Sequence, residues 1–131
     1  MNLQRMKAIL IKYNKEGETM SYKEEFPDFK LDVKIPEGFD DDSWHNDACP
    51  SWFRPEIVDG DKGLTLWIDY EKQSDSDFYD VDAKDWKRFQ LSFSNHHEGT
   101  SILLIESNNY QEILDFIDEE RLNDEERRDT K

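Results

Sequence analysis

The chain has 131 residues, of which 17 are basic and 32 acidic, for a net charge of −15. A field of that sign repels nucleic acid and anionic membrane and speeds encounter with cationic surfaces. The composition, 35% hydrophobic and 13% aromatic, supplies enough apolar surface for a core and excludes an intrinsically disordered chain.

A chain of this length fits one domain, residues 1–131, and buries roughly two thirds of the surface its unfolded form exposes. The single cysteine, Cys49, excludes an internal disulfide. The N-terminal apolar run, residues 8–11, is too short for a signal sequence or a membrane span, so a cytoplasmic location is expected. The charge is unevenly placed: residues 1–35 carry seven basic and six acidic side chains, and residues 36–131 carry −16. Acidity therefore belongs to the body of the domain.

In chain order, Leu3, Met6, Leu10 and Tyr13 stand at helical spacing, and Gly17 can end such a helix. Met6 and Met20 are further methionines, which makes residues 1–20 a candidate N-terminal extension. Phe26, Pro27 and Asp28 signal a turn. Phe29, Leu31, Val33 and Ile35 then alternate with polar neighbours, which predicts a half-buried strand ended by Pro36 and Gly38. Residues 39–63 show no sustained period and read as a loop anchored by aromatics, either functional or containing a short strand. A strand over residues 53–58 can pair across the turn at residues 59–63.

Leu64, Leu66, Ile68 and Tyr70 fall on one face of the next strand, for burial against a helix; Thr65, Trp67 and Asp69 fall on the other. Residues 71–87 read as a polar excursion. Phe89, Leu91 and Phe93 alternate again, residues 95–100 make a hairpin loop, and the apolar residues 101–106 predict a central or doubly covered strand. Asn109, with Glu112 three residues on, caps a helix whose stripe is Tyr110, Ile113, Leu114, Ile117 and Leu122. Residues 123–131 lack an apolar side and are expected to fray. The expected fold is α+β, a single antiparallel sheet of four to five strands with the C-terminal helix packed on one face.

No reaction is legible. His45, Cys49, His96 and His97 are the available soft ligands, but their spacing matches no structural zinc pattern, and adjacent strand residues point to opposite faces. Cys49 with Asp47 and a histidine makes a poor nucleophile, because surrounding carboxylates disfavour thiolate. A calcium loop starting at Asp75 needs glycine where Asp80 stands and glutamate where Trp86 stands. No cofactor is therefore expected.

What remains is a surface. Glu71, Asp75, Asp77, Asp80, Asp82 and Asp85 are interleaved with Phe78, Tyr79 and Trp86, the mixture of steering charge and aromatic anchors common at interfaces. Residues 40–47, with Trp44 and Trp52, have the same character. The candidate partner is a cationic protein, with neither nucleic acid nor membrane as ligand.

Asp47, Cys49, Pro50, Ser51 and Trp52, followed by Leu64, Leu66, Trp67 and Asp69, resemble the D-x-C-P-S-aromatic and L-x-L-W-x-D patterns of a group of small uncharacterised bacterial proteins, over residues 26–120. The resemblance implies a bacterial cytosolic domain and no activity. Size, acidity and layout are also similar in style to the immunity proteins of bacterial polymorphic toxin systems, including contact-dependent inhibition. That similarity implies an inhibitor covering the basic cleft of a toxin, such as a nuclease. The alternatives are a nucleic-acid mimic that blocks a DNA-binding enzyme, a small metal-dependent hydrolase, and an assembly subunit whose apolar strand faces are completed by another copy.

Overall fold

The computed structural model describes residues 21–129, with side chains described as far as residue 120. The helix expected within residues 1–13 lies outside the described residues, as does the candidate extension at residues 1–20.

The described chain begins with a one-turn helix, α1 (Tyr22–Glu25), whose N-cap Ser21 accepts from the Lys23 amide while Glu24 reaches back to the Ser21 amide. Five strands follow: β1 (Asp40–Asp41), β2 (Ser51–Pro55), β3 (Lys62–Ile68), β4 (Phe89–Asn95) and β5 (Thr100–Ser107). They form one antiparallel sheet in sequence order, each strand paired with the next. The chain ends in helix α2 (Tyr110–Asp129), which packs on β5 and β4. The fold is thus α+β, a single five-stranded antiparallel sheet with a C-terminal helix on one face.

Register explains which face became the core. Trp52 stands opposite Leu66, Leu66 opposite Leu91, and Leu91 opposite Ile105, so one row of large apolar groups crosses the sheet. Ile68 and Phe89 form a second pair on the same face. Ile113 and Ile117 of α2 close over this surface with Phe26, Phe29 and Phe39. Leu66, Ile68, Leu91 and Ile113 are fully buried, each contributing about 1.5–3 kcal/mol relative to exposure. Gly63 permits the tight approach of β2 to β3: a Cβ there would strike the Arg54 carbonyl oxygen and lie 2.8 Å from Pro55 Cα.

α2 starts where Asn109 predicts it. The Asn109 side chain accepts from the Gln111 amide at 3.0 Å, while Glu112 takes the Ser107 hydroxyl at 2.7 Å. Where fraying of residues 123–131 is expected from composition, the backbone continues as helix to Asp129.

Three expectations need correction. Residues 29–35 are not a strand. Phe29 is buried, Leu31, Val33 and Ile35 are half-buried, and the residues between them are exposed, yet the segment joins no ladder. Its side chains cover the core face, and its backbone is tied down elsewhere, with the Tyr110 hydroxyl donating to the Lys34 carbonyl at 2.8 Å. The short strand expected within residues 39–63 is present, as β1 and as β2, and β2 pairs with β3 across the turn as expected; its bounds differ, Ser51–Pro55 in place of 53–58, which leaves Ile57 and Val58 exposed in the turn. Finally, among the described residues β5 is neither central nor doubly covered: it is one of the two outer strands of the sheet, with Ile102, Leu103 and Leu104 exposed.

Candidate protein-binding surface

The excursion between β3 and β4 is closed at its base. The Asp69 amide donates to the Arg88 carbonyl at 2.9 Å, and the Arg88 Nε–H returns a bond to the Asp69 carbonyl at 3.0 Å. Asn108 joins the same base: its Oδ1 accepts from the Arg88 amide at 2.8 Å and its amide donates to the Trp86 carbonyl at 3.2 Å.

The Asp69 side chain is only 4% exposed and holds the excursion from inside. Its Oδ2 accepts from the Ser76 hydroxyl at 2.7 Å and from the Trp86 indole N–H at 3.2 Å; its Oδ1 accepts from the Tyr70 amide at 2.7 Å. A buried carboxylate with three donors is strongly held, since removing it leaves each donor without its acceptor. Ser76 passes the restraint on, accepting from the Phe78 amide at 3.0 Å. The Gln73 amide donates to the carbonyls of Phe78 at 3.1 Å and Val81 at 2.6 Å. A short 3₁₀ turn (Gln73–Asp75) and successive tight turns through Asp82 and Trp86 complete a loop fixed by its own polar groups.

The sequence-predicted residues divide accordingly. Glu71, Asp75, Asp77, Asp80, Asp82 and Asp85 are all exposed, so the excursion presents six carboxylates to solvent. Phe78 is 44% and Tyr79 68% exposed, beside a partly exposed Val81. Trp86 is half-buried with its indole N–H turned inward to Asp69, which makes it a tether of the loop. Trp52 belongs to the core, where it packs against Tyr22 with ring centroids 5.6 Å apart.

Trp44 comes to the same side of the sheet as the acidic loop. A groove of about 300 Å³ lies on the face opposite the core, lined by Asp42, Trp44, Asp47, Thr65, Trp67 and Ser94 among others. Its floor includes the hydroxyl pair Thr65 and Ser94, 2.8 Å apart. A neighbouring recess of about 210 Å³ shares Asp47 and Trp67 with the groove and is lined also by Cys49, Phe78 and Arg88. Trp44 and Trp67 line the groove, and Trp67 and Phe78 line the recess beside the acidic excursion. Trp67 escapes sequence reasoning, because its place in an alternating strand gives it a face and no neighbours; its pairing with Ser51 and Gln90 sets it there.

The groups considered for chemistry lie apart. His45 Nδ1 meets Glu25 at 2.8 Å, and its ring stacks on Trp44. His96 packs on the Phe53 ring with Nε2 3.8 Å from Asp42, whereas His97 is exposed. Burial pushes the Cys49 thiol well above its ordinary pKa, and the charges of Asp69, Asp47 and Asp77 push the same way. Among the described residues no group of three or more His, Cys, Asp or Glu side chains is arranged to hold a metal ion, and no helix is long and apolar enough to cross a membrane.

No protein-family model, curated protein or solved structure matches the chain.

Proposed function

We propose that this is a cytosolic, bacterial immunity-type protein that inhibits by binding: its acidic excursion covers the basic substrate cleft of a cognate toxin, such as a nuclease. The observation that carries the reading is the tethering of residues 71–87 by Asp69, which holds six exposed carboxylates with Phe78 and Tyr79 in one shape before any partner arrives. Preorganisation of this kind lowers the entropy lost on association. The carboxylates steer a cationic partner, and Trp44, Trp67 and Phe78, which line the two recesses beside them, supply apolar contact. A basic nuclease cleft offers the matching charge.

Association kinetics with a purified cationic partner test the proposal. The wild-type chain is expected to associate more slowly as salt is raised. Reversing Asp75, Asp77, Asp80 and Asp82 to lysine should slow association at low salt and flatten its salt dependence. Unchanged kinetics in that variant would remove the excursion from the interface.

A further inference from the structure

β5 is an outer strand, and among the described residues no strand lies along its far side. Ile102, Leu103 and Leu104 are 67%, 51% and 37% exposed. Outer strands ordinarily discourage pairing with another chain by a lysine, a proline, several charges or a bulge, and of these β5 has only the irregularity at Leu104. Thr100–Ser107 has no proline and no basic residue, and its one charge, Glu106, stands near the end.

The strand is also self-complementary. Thr-Ser-Ile-Leu-Leu-Ile-Glu-Ser has the same order of polar and apolar residues in both directions. An antiparallel copy centred between Leu103 and Leu104 sets Ile102 against Ile105, Leu103 against Leu104, and Ser101 against Glu106. In a regular strand this arrangement would fail, because Ile102 and Ile105 are three residues apart and would point to opposite faces. The irregularity in β5 repairs it. Ile102 stands opposite Phe93 and Ile105 opposite Leu91, two residues apart on β4, with Leu104 as the extra residue. Both isoleucines therefore lie on the core face, and each can cover the other's counterpart.

We infer that β5 pairs antiparallel with β5 of a second copy, across a two-fold axis between Leu103 and Leu104, and continues the sheet from one copy into the next. Such an interface is isologous, each copy offering the same strand. No like charges face each other across it, since Glu106 meets Ser101. The chain's net charge of −15 opposes the approach of two copies, so the association strengthens as salt screens it. A cationic partner responds to salt in the reverse sense, which keeps this interface experimentally separate from the acidic excursion.

Sedimentation analysis of the full chain at low and high salt tests the inference. A species of about twice the chain mass is expected, favoured by higher concentration and higher salt. Leu103→Lys, at a half-exposed position, should weaken the dimer at least about tenfold while leaving the far-ultraviolet spectrum unchanged. Ser101→Lys should tighten it, because each lysine then faces Glu106 of the second copy. A monomer at both salts, or a dimer indifferent to Leu103→Lys, overturns the inference. A dimer that Ser101→Lys fails to tighten overturns the register and the two-fold axis with it.

Discussion

The indole N–H of Trp86 donates to the carboxylate of Asp69 across seventeen residues of chain, at 3.2 Å. This bond joins the end of the acidic excursion to its beginning. The same carboxylate takes the Ser76 hydroxyl near the middle, so a single buried side chain sets the shape of the loop.

Asp69→Ala is accordingly expected to destabilise the chain by about 2–3 kcal/mol, the usual cost when a charged acceptor is lost and its buried donors remain. Denaturant unfolding followed by tryptophan fluorescence measures it. Hydrogen exchange of residues 71–87 should rise in the variant more than exchange in β3 or β4.

Phe78→Ala and Tyr79→Ala should behave differently. Both side chains are substantially exposed, so each substitution is expected to change stability by no more than about 0.5 kcal/mol. Partner affinity should fall at least about tenfold for one or both, as for an aromatic anchor at an interface. Trp86→Ala reverses the pattern, costing stability first, because its N–H is spent on Asp69.

Asp32 carries a pH dependence. The Arg88 guanidinium bonds both its oxygens, at 2.6 and 3.0 Å, and that bonding holds its carboxyl below the usual carboxylate pKa. A depressed folded-state pKa contributes stability above the unfolded value, about 3.9, and loses it as pH falls through the lower folded value. Wild type and Asp32→Asn should therefore differ at neutral pH, by about 1 kcal/mol or less because the Asp32 carboxylate is itself exposed to solvent, and converge in acid. Urea midpoints for both chains from neutral pH downward show whether they do.

Tyr110 gives the alkaline counterpart. Burial pushes its phenol up to about 12, and its hydroxyl donates to the Lys34 carbonyl. A raised folded-state pKa contributes stability that is complete below the unfolded value, about 10, and is lost as pH rises toward the folded one. Phenolate absorbance of the folded chain should show a late step near pH 12 that is missing in Tyr110→Phe.

The alternation of Leu64, Leu66 and Ile68, and of Phe89 and Leu91, makes β3 and β4 readable, because a strand with a single apolar face announces its period. Phe29, Leu31, Val33 and Ile35 carry the same signal without being a strand. Alternation reports which side chains point inward; it does not report whether the backbone has a ladder to join. β5 misleads in the opposite way. An apolar run reads as burial, yet neighbour order in the sheet leaves Ile102 and Leu103 uncovered. β1, two residues long, is too short to show a period. The acidic excursion is visible from composition, whereas the inward turn of Trp86 and the shared face of Trp44 and Phe78 depend on partners distant in sequence.

The most direct test of the inhibitor account is parallel affinity capture from native lysate. One bait is the tagged wild-type chain; the other carries lysine at positions 75, 77, 80 and 82. The account predicts one stoichiometric basic protein on the wild-type bait, released by high salt and absent from the variant. The same protein on both baits, equally resistant to salt, would contradict it.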